Sequence, residues 1–176
     1  MALELNGTSG VSLVQDGVIT DANLPEGSVL QVVTESTNTE VTVTTLTYTD
    51  TTLTANITPI SASSTILVFV NQQLTFSRQA NQQFGGIRVL RDSTVIHDPL
   101  NDGSPFEYGL QAPGSSNVSF RHRAVIQLED SPSTTSQITY KTQVRPYFSA
   151  NTGFATVNEA NTVNATSYIT LMEIAG

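Results

Sequence analysis

The sequence contains no cysteine, only one lysine (Lys141) and no long apolar run. Each shortage closes off a class of chemistry. Without thiols there are no disulfide staples, no thiolate metal sites and no cysteine nucleophile, and the redox compartment is left open. One lysine and six arginines stand against 15 acidic residues, for a net charge of −8. No basic stripe is available to neutralise a phosphate backbone, so nucleic acid is not an expected partner. No stretch approaches the roughly 18 consecutive apolar residues of a membrane span, so membrane insertion is not expected either. The opening Met1–Gly7 has neither the basic nor the apolar region of a signal peptide, which argues against ordinary secretion. No window carries a helical period with caps.

What is abundant is hydroxyl. Threonine and serine together make 44 of the 176 residues, while charged residues make only 12%. A polar surface built from β-branched threonine suits the wet face of a strand, so composition alone points to an all-β chain. A sandwich of this length can bury a sufficient core without staples.

Residues 1–27 form a distinct arm. Leu3, Leu5, Val11 and Leu13 are apolar singlets among the turn formers Asn6-Gly7, Ser9-Gly10 and Asp16-Gly17. Such a segment cannot bury its own apolar residues. These four side chains are expected to dock on the chain's own domain, a sister subunit or another protein. Pro25-Glu26-Gly27 reads as the break before the first strand.

From Ser28 to Gly176, short β runs recur between turn signals. They are Val29–Thr34, Val41–Thr47, Leu53–Thr58, Thr65–Val70, Ile87–Arg91, Thr94–His97, Val118–Leu128, Ile138–Val144, Phe154–Val157 and Ser167–Ile174. Alternation is clearest in Val118–Leu128, where Val118, Phe120, His122, Ala124, Ile126 and Leu128 share one face. Thr65–Val70 and Ser167–Ile174 are apolar on both faces and so need cover on both sides. A small sandwich covers one side only, which leaves a subunit interface as the second cover. Tyr168, Met172, Ile174 and Phe120 are the interface candidates. About ten strands with Pro, Gly, Asn and Ser turns predict one β-sandwich domain over 28–176, most simply a jelly roll.

Several residues invite chemistry and carry little of it. His97, in a turn before Asp98-Pro99, is expected to be solvated, and His122 to be a core or interface histidine. No cofactor or metal site is expected. The acidic turn Asp98–Gly103 lacks the ligand spacing of a calcium loop and reads as turn chemistry. Arg121 and Arg123 share a strand face, which suits surface or interfacial ion pairs more than an anionic sugar. No motif singles out two carboxylates for glycosidase work, so no enzyme is expected. The longest loops, where recognition would reside, are Phe76–Phe84, Asp98–Asn117 and Ser149–Asn164; in the middle one Phe106, Tyr108 and Gln111 are ligand-facing candidates, and the same loop reads equally as a solvated connection.

The order Gly27-Ser28-Val29-Leu30-Gln31-Val32-Val33, Ile57-Thr58-Pro59-Ile60-Ser61, Ser63-Ser64-Thr65-Ile66-Leu67-Val68-Phe69-Val70-Asn71, Ile87-Arg88-Val89-Leu90-Arg91-Asp92 and Ser167-Tyr168-Ile169-Thr170-Leu171-Met172-Glu173-Ile174 resembles a module of tail-fibre-like and other virion proteins of aquatic phages. Asp130-Ser131-Pro132, Ile138–Val144 and the opening Leu5-Asn6-Gly7-Thr8-Ser9-Gly10 are similar to segments of the same proteins. The resemblance spans nearly the whole chain and its motifs are structural. It implies a jelly roll like those of C1q and tumour necrosis factor, assembling as a homotrimer. It also implies a virion location, with assembly in the host cytoplasm and release by lysis. The expected role is non-enzymatic. It is either a tail or baseplate attachment module contacting other virion proteins and a host glycan or protein, or a capsid decoration protein on the major capsid protein. An extracellular lectin or adhesin is the third possibility. The departure from that family is brevity, so a full-length tail fibre is not expected from these 176 residues.

Overall fold

A computed structural model describes residues 24–98, 108–160 and 165–176. Among these there is no helix; eleven strands form two antiparallel sheets packed face to face. They are β1 (Val29–Thr37), β2 (Val41–Val43), β3 (Thr49–Ile57), β4 (Thr65–Arg78), β5 (Gln82–Arg91), β6 (Thr94–His97), β7 (Tyr108–Gln111), β8 (Val118–Asp130), β9 (Ile138–Pro146), β10 (Phe154–Val157) and β11 (Ser167–Ile174).

The first sheet is organised around β4. One edge of β4 pairs with β8 along Ile66–Arg78; the other pairs first with β11 and then with β10. Outside these lie β1 on β11 and β2 on β10. The second sheet runs β3-β9-β5, with β6 and β7 sharing the far edge of β5.

The period-two pattern decides which side chains meet between the sheets. Leu53, Ala55 and Ile57 of β3, Ile66, Val68 and Val70 of β4, and Ile138, Tyr140 and Val144 of β9 are all buried there. Ile87 and Val89 of β5, Ala124 and Ile126 of β8, and Ile169 and Leu171 of β11 complete the core. The alternate residues of β3 (Thr52, Thr54, Asn56) face water, as their hydroxyls and amide require.

Polar groups clip the sandwich at its margins. Tyr140 is fully buried and donates to Asp130 Oδ2 at 2.6 Å, while Arg91 reaches both oxygens of Asp130 at 2.7 and 2.8 Å. Burial and the Asp130 carboxylate push the Tyr140 phenol well above its ordinary pKa. Glu173 is also buried. Its carboxylate accepts from Gln31 Nε2 and from the Ile60 and Ser61 amides, at 2.5, 2.7 and 3.3 Å. The turn between β3 and β4 is thereby tied to β11 and β1.

The structure corrects several expected boundaries. Val41–Thr47 is a strand only to Val43, and the strand expected to end at Thr34 continues as β1 through Thr37. Phe76–Phe84 is not an open loop. β4 and β5 run deep into it and both phenylalanines are buried. Within Asp98–Asn117, Tyr108–Gln111 forms an additional strand on β5.

Candidate recognition end of the sandwich

The described parts of the three expected recognition loops converge at one end of the molecule. The tip of the β4–β5 hairpin meets the segment after β9 through Gln79 N–H to Asn151 C=O at 2.9 Å. Arg78 Nε donates to Ala150 C=O at 3.1 Å. The segment after β7 joins through Ala112 N–H to Asn81 C=O at 2.7 Å.

Gln83 locks this end together. It is fully buried, and its amide makes the four hydrogen bonds open to it. Nε2 donates to Ser77 C=O and Phe148 C=O, both at 3.0 Å, while Oε1 accepts from the Phe84 and Phe148 amides at 3.1 and 3.2 Å. Phe148 is thus held at both its N–H and its C=O. Gly153 packs so closely on the Phe148 carbonyl that a Cβ there would overlap it. The intervening Asn151 and Thr152 both adopt left-handed backbone, with φ of 54° and 55°. Paired non-glycine residues in that region persist only where the surroundings dictate the conformation.

The rigid corner carries aromatic rings. Tyr147 N–H donates to Phe84 C=O at 2.7 Å, which extends the β9–β5 ladder by one residue. Tyr147 is 39% exposed, its ring makes T-shaped contacts with those of Phe148 and Phe84 at 4.8 and 6.4 Å between centres, and it lies on the outer face of the second sheet. On the same outer face, two residues along β5 and β7, lie the paired Gln82 and Gln111. The Arg78 guanidinium covers Phe148 at 4.2 Å.

Further along this face Tyr48 lies against Arg88 and Arg145, at 4.2 and 4.8 Å from its ring centre, and donates to Asp98 at 2.9 Å. Burial and Asp98 push its phenol pKa upward. This cluster holds the β2–β3 connection on the sheet.

The remaining candidates fall into place as follows. Gln111 is exposed at the recognition end. Tyr108 is turned inward, its ring 4.4 Å from that of His122, and so does not face a ligand. Phe106, and Leu3, Leu5, Val11 and Leu13 of the arm, lie outside the described residues, as does most of the Asp98–Gly103 turn. His97 is half-buried at the end of β6 rather than solvated. His122 stacks among Phe76, Phe120 and Tyr108, and neither ring nitrogen has a hydrogen-bond partner among the described residues. Burial pushes its pKa down. Arg121 grips Glu159 at 2.6 and 2.9 Å, which holds that carboxyl below its usual range, and Arg123 donates to Asn71 and to Thr166 C=O.

Of the interface candidates, Phe120 belongs elsewhere. It packs inward against the core with Phe76. Tyr168, Met172 and Ile174 do share one surface, the outer face of the first sheet. The register there sets Val32, Met172, Leu67 and Glu129 in one row and Thr34, Thr170, Phe69 and Gln127 in the next. A third row is Ser36, Tyr168, Asn71 and Val125. Val32 is 55% exposed and Val125 71%, so this face leaves large apolar side chains in water.

Sequence reasoning passed over Tyr147, although a signal was present. The alternation of β9 continues through Thr139, Lys141, Gln143 and Arg145 to Tyr147, which puts an aromatic ring on the polar face. No family model matches the chain, and no curated protein is significantly similar to it in sequence.

Proposed function

We propose that this chain is a non-enzymatic structural protein of a phage virion: a trimeric jelly-roll attachment module of tail or baseplate type. The strand order supports the jelly-roll reading, since β1-β11-β4-β8 faces β3-β9-β5-β6 as two interleaved Greek keys require. The sequence resemblance supports the virion setting.

One observation carries the functional reading: the surface is divided by chemistry. The outer face of the first sheet presents Val29, Val32, Val125 and Tyr168, with Leu67, Phe69, Met172 and Ile174 half-buried between them. Contiguous exposed apolar surface of this kind marks a protein interface. Its central rows carry few charges, so copies of a chain with net charge −8 can approach there without placing like charges together. The opposite sheet instead shows arginine, amide and aromatic groups, with the rigid loop cluster at one end. An attachment module needs both: a face that assembles and an end that stays free.

The test is the copy number of the protein in purified particles, by quantitative mass spectrometry against the major capsid protein. A few to a few tens of copies, in multiples of three, is the expected result. Hundreds per particle would replace the reading with capsid decoration. Absence from the particle would overturn the virion setting.

A further inference from the structure

We propose that the Tyr147 corner is a carbohydrate site that takes a neutral sugar residue by stacking it on the exposed tyrosine ring. The inference rests on the attachment reading and names the ligand class of its free end. Three features lead to it.

The first is the ring itself. Tyr147 is an exposed aromatic on a strand face that is otherwise polar, in a backbone fixed by the Phe84, Gln83 and Gly153 contacts. A ring on a fixed backbone, flanked by the Phe84 and Phe148 rings, offers a flat apolar surface at low ordering cost on binding, and the C–H face of a pyranose matches it.

The second is the surrounding side chains. Gln79, Asn81, Gln111, Asn151 and Thr152 are exposed around the same end. Amides and hydroxyls both donate and accept, which is what a sugar hydroxyl demands of a partner.

The third is the state of the nearby charges. Arg78 is stacked on Phe148 and donates to Ala150 C=O and to Gln82 C=O. Arg145 is stacked on Tyr48 and donates to Leu46 C=O. Neither guanidinium is presented as an open fork to a carboxylate, and the chain is acidic overall. Uronic, sialic or phosphorylated sugars gain nothing here, whereas neutral hexoses do.

The test is affinity electrophoresis of the intact protein in gels containing dextran, yeast mannan, galactomannan or, as the anionic comparison, alginate. Retardation by at least one neutral polysaccharide is expected. Tyr147→Ala should weaken it at least tenfold in a protein that remains folded by circular dichroism, Tyr147→Phe should largely preserve it, and Gln111→Ala should weaken it in part. No retardation by any neutral polymer, retardation by alginate alone, or binding untouched by Tyr147→Ala would each overturn the proposal. The particle count tests the attachment reading separately, so failure of the ligand class and failure of the virion role are distinguishable.

Discussion

Thr142→Val exchanges a hydroxyl for a methyl at a fully buried position of β9 with almost no change in shape. The hydroxyl is the middle link of a polar chain that crosses the core. Leu53 N–H donates to Thr51 Oγ1 at 3.1 Å, Thr51 and Thr142 are 2.6 Å apart, and Thr142 donates to Gln72 Oε1 at 2.7 Å. An amide oxygen only accepts, so the Thr142 proton is committed to Gln72 and Thr51 supplies the proton of the other bond. Valine removes both bonds. Gln72 Nε2 already has no hydrogen-bond partner among the described residues, so the buried side-chain amide would then make no bond to any of them. Each buried polar group left unpaired costs about 1–3 kcal/mol, and two are orphaned here, giving an expected loss of about 2–6 kcal/mol.

Removing both ends of the link is a different perturbation. With Gln72→Leu added, no amide is left to orphan, so the double variant should be more stable than Thr142→Val alone. The coupling should be about 1–3 kcal/mol. Urea unfolding at one fixed protein concentration is the assay, because an oligomer's stability depends on concentration. The slopes must agree for the comparison to hold. A Thr142→Val variant within about 0.5 kcal/mol of the parent, or a double variant costing the sum of the singles, would refute the reasoning.

His122 should make stability fall in mild acid. Its folded-state pKa lies below the ordinary 6.5, so the unfolded chain binds the proton first; stability is full above 6.5 and declines as pH drops toward the folded value. The melting temperature should therefore decrease from about pH 7.5 to about pH 5, and His122→Phe should flatten that part of the profile; an unchanged slope would exclude His122 as its source. Gly85→Ala would drive a Cβ into the buried Phe76 ring, at a cost of about 1–3 kcal/mol or more in the same urea assay. Met172→Glu places a charge between Val32 and Leu67 on the outer face of the first sheet, and native mass spectrometry should find monomer with intact β circular dichroism. A persistent trimer would show that this face is not the interface.

The sequence and the structure agree best where alternation is strict. In β8 the face of Val118, Phe120, His122, Ala124, Ile126 and Leu128 read from the sequence is the one turned inward, and β3 and β9 alternate in the same way; β11, apolar on both faces, buries Ile169 and Leu171 beside the polar Ser167 and Glu173. The second half of β4 was not legible. Asn71-Gln72-Gln73 interrupts the apolar run, yet Gln72 and Gln73 are both buried inside a strand of 14 residues. Gln72 is accommodated by Thr142 on the facing sheet. Gln73 is covered by the chain after β10, where Glu159 N–H donates to its Oε1 at 3.0 Å. Both partners lie about 70 or more positions away in sequence, beyond the reach of any local period. The candidate site was half legible: Gln111 was among the named residues and is exposed, but Phe76–Phe84 is mostly buried strand and Tyr108 is turned inward to stack on His122.

By itself, the sequence determined the fold class. Threonine abundance, period-two alternation and Pro/Gly/Asn turns constrain each segment locally, because backbone sterics and the pleat act over only a few residues. Only the tertiary structure decided which polar groups could be buried, which aromatic remained at the surface, and that three separate connections form one end. Those outcomes depend on pairings between distant strands. A residue's partner, unlike its local conformation, is set by where the rest of the chain has gone.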